Sequence, residues 1–323
     1  MKVISPFTVS VVIPTYRPGE EFEKLIERLM QQSLLPDEIL IVNTDREQFA
    51  FPEEKLPGRS RVIHIAPEEF DHGGTRAMAV EKTSGDIIVF MTQDAVPADR
   101  KMLEYLTECF EDPLVGAAYA RQIPKKGCSA LELYTRKYNY GLESYVRSAE
   151  DIPVYGIRTF FCSDVCAAWR RSAYEDAGGF ETRTLFNEDM ILAGHLLQKN
   201  WKIAYCSMAR VIHSHNYTGM QQLRRNFDLG VSQAQHEDVF GDVRSEGEGI
   251  RLVRKTAAWL ILHGRIHLLP ELIWQSGCKF AGYRLGKAYR KIPAPVIRRL
   301  TSNRAWWKKN GAQGTEEEKT VKE

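Results

Sequence analysis

Several features that would decide the class of this protein at once are absent from its 323 residues. There is no internal repeat and no low-complexity tract, so we expect a globular protein. The N-terminus has no charged segment followed by an apolar one, and we therefore expect no export signal. The six cysteines are scattered, mostly in apolar stretches, as is typical of reduced thiols rather than a disulfide framework. Cys162 and Cys166 have the spacing of metal ligands, but no second close pair completes a zinc site.

Acidic residues are scarce in one part of the chain. Residues 244–310 contain 15 Lys and Arg against three Glu, a net charge of about +12, whereas residues 1–243 contain 27 basic and 35 acidic residues. The total charge of +2 therefore hides two different regions. The basic region has no recognised nucleic-acid-binding motif, so we expect no nucleic-acid partner.

Long hydrophobic runs are also absent from this basic region. Its apolar stretch, residues 257–262, is too short to span a bilayer. Four tryptophans lie among its Lys and Arg residues, namely Trp259, Trp274, Trp306 and Trp307. That mixture is typical of a lipid headgroup surface. We expect residues 241–310 to form a basic amphipathic helical region at a membrane surface. The alternatives are a soluble helical cap and a contact with another protein chain.

Strand and helix patterns alternate along the first half of the chain. Apolar runs predict strands over residues 9–13, 38–42, 61–66 and 87–91, and helical spacing predicts helices over residues 22–30 and 75–83. This alternation predicts an α/β fold with a mostly parallel sheet covered by helices. Such a sheet binds ligands at the carboxyl ends of its strands.

The pattern becomes mixed after residue 114. It predicts strands over residues 115–121, 159–169, 201–206 and 210–213, and helices over residues 129–145, 187–198 and from about 219 onward. We interpret residues 245–249 as a linker and residues 311–323 as a polar, disordered tail. The chain is thus divided into an α/β domain of residues 1–240, the helical region of residues 241–310, and the tail.

Polar residues stand where the predicted strands end. Thr92-Gln93-Asp94 follows the strand that ends at Met91, and a carboxylate there costs desolvation energy unless a cation meets it. In a cleft the usual partner is a divalent metal that holds a diphosphate; a turn or helix-capping acid is the alternative. Gly73-Gly74 precede a predicted helix whose free N–H groups suit phosphate oxygens, with Arg76 in its first turn. The alternative there is a Gly-rich turn with a surface arginine.

Two more motifs contain side chains suited to catalysis or metal binding. Glu188 and Asp189 open a predicted helix, where an acid complements the helix dipole. Two adjacent acids point in different directions, so one of them is a candidate general base. His213 and His215 alternate on an extended segment and therefore share a face. Neutral imidazole suits either a metal site or a hydrogen-bonded core position, and the pair favours a site.

Four segments, taken in order, resemble the family 2 glycosyltransferases of the Rossmann-like GT-A fold: VSVVIPTYRP, HGGTRAMAVEKTSGDIIVFMTQDA, GGFETRTLFNEDM and VIHSH. The TQDA and HSHNYT segments are most similar to bacterial rhamnosyltransferases of O-antigen and cell-wall synthesis. The resemblance covers about residues 7–240. It implies an inverting transfer of L-rhamnose from dTDP-L-rhamnose to a hydroxyl of a polyprenyl-diphosphate-linked glycan. It also implies a cytoplasmic enzyme that is peripheral at the inner face of the cell membrane.

The resemblance implies a role for each motif in binding the donor. Pro14, Thr15 and Tyr16 match the loop that holds the nucleotide. Asn43 and Asp45 stand where the family often reads the base with paired aspartates.

The metal-binding Asp-x-Asp of the family matches Thr92-Gln93-Asp94, in which the first Asp is missing. This match leaves Asp94 as the ligand of a divalent metal, Mg²⁺ or Mn²⁺, with Gln93 beside the donor. His213 matches the late metal-site histidine of the family, and His215 is close enough to compete with it.

The remaining matches concern the reaction centre. Asp189 matches the catalytic base in the Glu188-Asp189 pair. Arg76 matches a donor-binding motif of the family, with Gly74 beside it, although Ala77 stands where Asn is usual. Asp164 lies in the section that shapes the sugar and acceptor site. A structural pair of Asp164 with Arg170 or Arg171 is an equally good interpretation.

Two rival functions stay open at this point. A nucleotidyltransferase also places metal-binding acids at strand ends, but it usually opens with a Gly-rich signature, which PTYRPGEE lacks. A non-catalytic sugar-nucleotide-binding module of a polysaccharide assembly complex would explain the missing first Asp, whereas the retained Asp189 favours an enzyme. For an enzyme, a UDP- or GDP-sugar is the alternative donor.

Overall fold

The computed structural model describes residues 5–311 except residues 242, 244 and 245. Within this part of the chain, nine strands form a single sheet. In chain order they are β1 (Val9–Thr15), β2 (Glu38–Thr44), β3 (Ser60–Ile65), β4 (Ile87–Met91), β5 (Val96–Pro97), β6 (Val115–Ile123), β7 (Tyr145–Arg147), β8 (Cys166–Arg170) and β9 (Lys202–Ile212).

The sheet combines a parallel half with a mixed half. Its strand order is β3-β2-β1-β4-β8-β6-β9-β5, and β7 also pairs with β9. The pairs among β3, β2, β1 and β4 are parallel, as is the β6–β9 pair, whereas β8 runs antiparallel to both β4 and β6. The predicted α/β fold with a mostly parallel sheet is therefore confirmed, with β8 as the strand at which the direction changes.

Helices follow the strands and then dominate the C-terminal part. They are α1 (Glu20–Met30), α2 (His72–Glu81), α3 (Met102–Glu108), α4 (Ala130–Asn139), α5 (Ile152–Tyr155), α6 (Arg171–Asp176), α7 (Glu188–Gln198), α8 (Gly219–Gln235), α9 (Glu237–Phe240), α10 (Glu246–Leu262), α11 (Leu269–Lys287), α12 (Ala294–Leu300) and α13 (Arg304–Asn310). Among the described residues, no helix is both long and apolar enough to cross a membrane.

Two apolar layers enclose the sheet, because successive strand residues face opposite sides. Val11 of β1 packs in the layer that contains α1 and α3, and Val12 packs in the layer that contains α2, α6 and α7. Helix α1 shows why its segment is helical, since its buried residues Phe22, Leu25, Ile26 and Leu29 recur at the spacing of one helix face. With the central strands covered on both sides, polar side chains are left to the strand ends.

Three element predictions in the second half of the chain are wrong in part. The strand predicted over residues 159–169 is confined to β8. The apolar side chains that precede β8 pack on helices and do not pair in the sheet. The Phe160 ring, for example, lies 5.9 Å from the ring of Phe240. The helix predicted over residues 129–145 ends at Asn139. The two strands predicted over residues 201–206 and 210–213 are one strand, β9, whose register against β6 shifts after Cys206.

The C-terminal helices pack directly on the α/β part. Helix α11 lies along α8, and glycines from both helices allow the close approach: a Cβ on Gly282 would collide with the carbonyl oxygen of Leu223, and a Cβ on Gly286 with that of Phe227. The predicted linker is wrong over residues 246–249, which form the first turn of α10. The predicted tail lies outside the described residues from residue 312 onward.

Candidate active site

The predicted donor-binding residues meet at the carboxyl ends of β1, β2 and β4. Gln93 joins two of these ends, because its side-chain oxygen accepts the N–H of Tyr16 at 2.9 Å and its amide nitrogen donates to the Tyr16 carbonyl at 3.0 Å. These two hydrogen bonds fix the backbone of Tyr16, while the residue remains 47% exposed. Pro14, which lies two residues before Tyr16 in the sequence, is half-buried. An exposed ring on a fixed backbone is suited to contact a ligand.

The other residues in this group have protein partners. Asn43 is fully buried; its oxygen accepts from the Thr15 hydroxyl at 3.2 Å, and its amide donates to the Asp45 carbonyl at 2.9 Å. Asp45 has a φ of 68°, and its carboxylate accepts the N–H of Glu47 at 3.2 Å. Asn43 thus shapes the loop between β2 and the following turn, and Asp45 stands at its solvent side.

A second group lies at the end of β4. Asp94, His213 and His215 each offer one ligand atom, and these atoms all lie within 4.8 Å of one another. The Oδ2 atom of Asp94 is 3.5 Å from Nε2 of His213 and 3.2 Å from Nε2 of His215. Lys125 also approaches this oxygen, with its Nζ at 3.8 Å. The structure therefore brings together the three predicted metal ligands from two distant parts of the chain.

The protonation of His213 follows from its other neighbours. The Gln122 side-chain oxygen accepts from the Arg136 guanidinium, which has only donors, so the orientation of this amide is fixed. The same oxygen lies 3.0 Å from Nδ1 of His213, so Nδ1 must carry the proton. The lone pair on Nε2 of His213 then faces the Asp94 carboxylate.

That arrangement fits a cation. Burial lowers the pKa of His213 to about 3, so its imidazole is neutral. Burial alone would raise the pKa of Asp94, but the hydrogen bond from His215, together with the other polar groups around this carboxylate, outweighs burial and holds this pKa below its ordinary value. A neutral imidazole nitrogen that faces an ionised carboxylate is the donor set of a divalent metal, and a hydrogen bond from Nδ1 to an outer partner is typical of metal-bound histidine.

A third group forms around Arg76. Its Nε atom lies 2.9 Å from Oδ2 of Asp164, and its Nη1 atom lies 2.9 Å from Oε1 of Glu188. Asp189 joins the group through the backbone, since its Oδ2 accepts the N–H of Asp164 at 3.2 Å. The indole of Trp169 donates to the other Asp164 oxygen at 3.0 Å. Three carboxyl groups thus surround one arginine.

Charge balance singles out Asp189 among these carboxyl groups. Burial alone would raise the pKa of Glu188, but Arg76 outweighs it and lowers this pKa. Burial raises the pKa of Asp164 against the opposing charge of Arg76. Burial also raises the pKa of Asp189 well above its usual range, and the charges of Glu188 and Asp164 add to this shift. Asp189 forms no ion pair with any residue that the structure describes, and a carboxylate with a raised pKa in such surroundings is suited to accept a proton.

Several neighbours of this group differ from those that the sequence predicts. Asp164 pairs with Arg76, and not with Arg170 or Arg171, whose Nε atoms donate to the carbonyls of Val115 at 2.9 Å and Gly85 at 2.8 Å. Those two arginines bond to backbone carbonyls where the inner strands β6 and β4 begin.

Helix α2 also departs from prediction. Its Gly74 N–H is not free for phosphate, because the Asp71 carboxylate caps it at 2.6 Å. Arg76 is only 7% exposed and faces carboxylates instead of open solvent. The structure therefore gives Arg76 a role in holding Asp164 and Glu188, and contact of Arg76 with a diphosphate would require these pairs to break.

Three residues of the site were missed by sequence reasoning: Gln122, Lys125 and Arg136. Gln122 directly follows the strand predicted over residues 115–121, as Asp94 follows the strand that ends at Met91, and the same criterion of a polar residue at a strand end would have found it. Lys125 and Arg136 have no such signal, because only the fold brings them to Asp94 and Gln122.

Sequence comparison with known proteins indicates the family of this chain. The sequence model of glycosyl transferase family 2 matches residues 10–178. The chain is 35% identical over 301 residues to the O-antigen chain rhamnosyltransferase RfbN of Salmonella typhimurium, covering 93% of this chain and 96% of that protein. It is 34% identical to the O-antigen chain rhamnosyltransferase WbaN of Salmonella anatum, covering 92% and 95% respectively.

The fold has a solved counterpart as well. The mannosyltransferase PcManGT of Pyrobaculum calidifontis, whose structure contains GDP-Man and Mn²⁺, superimposes with a TM-score of 0.52 at 17% identity, covering 96% of this chain and 88% of that chain. The predicted GT-A fold is thereby confirmed. The match to the family model and the near full-length relatives confirm the resemblance found in the sequence. The chain belongs to glycosyl transferase family 2 and is a glycosyltransferase.

Proposed function

We propose that this enzyme transfers L-rhamnose from dTDP-L-rhamnose to a hydroxyl group of a lipid-linked glycan. The observation that carries the proposal is the position of two groups at one sheet edge, the metal-ligand set of Asp94, His213 and His215 and the basic carboxylate of Asp189. Two relatives named as O-antigen chain rhamnosyltransferases, each matched over nearly its whole length, support the choice of sugar.

Donor binding is assigned to the ends of β1, β2 and β4. The exposed ring of Tyr16 and the carboxylate of Asp45 would contact the nucleotide, while Thr15, Asn43 and Gln93 hold their loops in place. Asp94, His213 and His215 would hold the divalent metal. One carboxylate and two imidazoles suit Mn²⁺ better than Mg²⁺, because Mg²⁺ prefers oxygen ligands. When bound, the metal neutralises the charge that develops on the diphosphate as it leaves.

Proton transfer is assigned to Asp189. The acceptor oxygen forms a bond to the anomeric carbon as the bond from that carbon to the diphosphate breaks, and Asp189 takes the hydroxyl proton. Attack from the face opposite the diphosphate inverts the anomeric carbon. Glu188 and Asp164 raise the basicity of Asp189 through their negative charges, and Arg76 keeps both of them in place. General base catalysis of this kind contributes roughly 10²–10⁴-fold to the rate.

Membrane attachment is assigned to the helical region of residues 241–310, with residues 1–240 as the catalytic domain. Exposed apolar side chains lie there among the basic residues: Leu262 is 82% exposed, Ile273 70% and Trp274 60%. Such side chains would enter the headgroup layer while the cations attract anionic lipids, which contribute about 1 kcal/mol per cation. The enzyme would then be cytoplasmic and peripheral at the inner face of the cell membrane.

Sedimentation with anionic vesicles tests this attachment. Leu262→Ser combined with Ile273→Ser should release the protein from the vesicles. Leu142→Ser is the matched control, because Leu142 is 75% exposed but lies outside the helical region. Equal release by the control, or no release by the double variant, would contradict the assignment.

Calorimetric titration with a panel of sugar nucleotides, with and without Mn²⁺, tests the donor. The proposal predicts that dTDP-L-rhamnose binds most tightly and that Mn²⁺ strengthens its binding. A preference for a UDP- or GDP-sugar would retain the transferase and refute rhamnose as the sugar. Binding of a sugar nucleotide without turnover in the presence of acceptor would support a non-catalytic module instead.

A further inference from the structure

A large cavity lies among the C-terminal helices. Its volume is about 930 Å³, and it is enclosed by α4, α8, α10 and α11. Its lining is largely apolar and includes Leu131, Leu252, Val253, Leu272 and Phe280. A volume of this size is in the upper part of the range of ligand sites, roughly 300–1,000 Å³. Apolar residues around such a space stay in contact with water unless an apolar ligand fills it.

The cavity adjoins the active site at two points. Met190, which follows Asp189, is one of its lining residues. Helix α4 forms another wall with Leu131, Thr135 and Tyr138, while Arg136 on the next face of the same helix bonds to Gln122, the partner of His213. Helices α7 and α4 therefore line the cavity and also carry residues that belong to the active site or bond to it.

Among the described residues, two charged residues of the lining form no ion pair, the exposed Arg254 and the partly buried Lys279. Arg158 is paired with Glu248 at 3.0 Å, and the Tyr138 hydroxyl also donates to Glu248. Lys279, by contrast, forms no hydrogen bond or ion pair with any residue that the structure describes. Burial lowers the pKa of Lys279, and Glu132 of α4 opposes this shift from a distance. A partly buried ammonium group without a counter-ion favours an anion from outside the chain.

Lys279 lies near charged residues of α4. Glu132 and Arg136, which form an ion pair at 2.6 Å, are the groups that act electrostatically on Lys279. The lining also includes exposed apolar side chains, since Ile250 is 59% exposed and Phe280 is 61% exposed. The cavity therefore combines a cation near α4 with apolar side chains that are exposed on the region that we assign to the membrane.

We propose that this cavity binds the lipid part of the acceptor, a long alkyl or isoprenyl chain joined to a phosphate, with Lys279 holding the phosphate. This assignment rests on the proposed function, because it identifies the acceptor of that reaction. The chain would occupy the apolar volume and leave towards the membrane beside Ile250 and Phe280. The glycan on the phosphate would then extend from Lys279 towards Asp189. A free phosphate ion would leave the apolar volume unused, so the shape and charge together favour an amphiphile.

Calorimetry on the full chain with farnesyl phosphate, farnesol and inorganic phosphate tests the site without any donor present. Farnesyl phosphate should bind at least about tenfold more tightly than farnesol, because a hydrogen bond to a charged group is worth about 1.5–3 kcal/mol. Lys279→Met keeps the length and apolar stem of the side chain, and it should reduce farnesyl phosphate binding to the level of farnesol. Lys279→Arg should restore the preference for the phosphate.

Two glycine variants test whether the farnesyl ligands bind inside the cavity or on the exposed surface. Gly277 lines the cavity, and a Cβ there would meet no atom within 4 Å, so Gly277→Trp should fill the space without distorting α11 and should abolish binding of both farnesyl ligands. Gly247 of α10 has equally open surroundings but does not line the cavity, so Gly247→Trp is the matched control and should bind normally.

The outcomes are distinct. Binding of inorganic phosphate as tight as that of farnesyl phosphate would overturn the proposal in favour of a simple anion site. Unchanged farnesyl phosphate binding in Gly277→Trp would overturn it in favour of the exposed surface. Titration of the same preparations with dTDP-L-rhamnose and Mn²⁺ tests the proposed function separately. Absence of donor binding by the wild-type protein would refute the rhamnosyltransferase, whereas absence of farnesyl phosphate binding by a wild-type protein that binds the donor would refute only the cavity assignment.

Discussion

Replacing Arg76 by Met should destabilise the protein strongly. The guanidinium is 7% exposed and meets two carboxylates, Asp164 and Glu188, at 2.9 Å each. Removal of one partner of a buried ion pair leaves an uncompensated charge and typically costs ~3–5 kcal/mol. Met retains most of the apolar stem of Arg, so most of the loss in free energy of unfolding is assigned to charge and not to packing.

Urea unfolding of the wild type and two variants measures this effect. Arg210→Met is the matched control, because Arg210 also contacts a carboxylate, Asp99, at 2.7 Å, but its side chain is 41% exposed. An exposed pair of that kind contributes about 0–1 kcal/mol. A loss in Arg76→Met no larger than that in the control would refute the view that Arg76 holds the catalytic carboxylates.

The pH dependence of this loss tests its cause. Arg76 lowers the pKa of Glu188, so the pair adds stability above the unfolded-state pKa of Glu, about 4.3, and that stability disappears as the pH falls through the lower pKa of the folded state. The difference between wild type and Arg76→Met should therefore be largest near neutral pH and shrink in acid. A loss that stays constant with pH would indicate a packing defect.

The remaining predictions concern the metal ligands and the base. Gln122→Leu should weaken Mn²⁺ binding about 10–100-fold, as expected for an outer partner of a metal-bound histidine. Calorimetry should find Gln198→Leu unchanged, because the Gln198 side chain is exposed and donates to the Asp238 carbonyl. Equal Mn²⁺ affinity in Gln122→Leu would remove it from the site. Because the pKa of Asp189 is raised, kcat/KM should increase with pH through a midpoint above the ordinary Asp value of about 3.9. A kcat/KM that stays constant between pH 4 and neutral pH, a span of about three pH units, would contradict the role of Asp189 as a base.

Much of the fold follows from local sequence, and the reason is physical. The segment Ile87–Met91 is fully buried between two helical layers, so its unbroken apolar run identifies it as a strand without other information. The same reasoning fails for residues 159–165, because an apolar run predicts burial and does not distinguish a paired strand from a loop that packs on helices. The register shift after Cys206 likewise has no local signature, since it depends on how β9 meets β6.

The site could be predicted where its residues stand at strand or helix ends. Asp94, Glu188 and Asp189 are of this kind, and His213 and His215 are alternate residues around the end of β9. The partners of Arg76 could not be predicted, because Asp164 and Glu188 lie far from it in sequence and reach it only through the packing of α2 against β8 and α7. Lys279 and the cavity around it could not be predicted from the sequence either, because they depend on how α11 lies along α8 and α10.

The most direct test of the account is the transfer of rhamnose from dTDP-L-rhamnose by Asp189→Asn, measured together with donor binding. The Asn side chain keeps the size of Asp but cannot accept a proton. The account predicts that turnover falls roughly 10²–10⁴-fold while donor affinity in the presence of Mn²⁺ stays close to that of the wild type. Turnover at the wild-type rate in Asp189→Asn would contradict the assignment of Asp189 as the base that activates the acceptor.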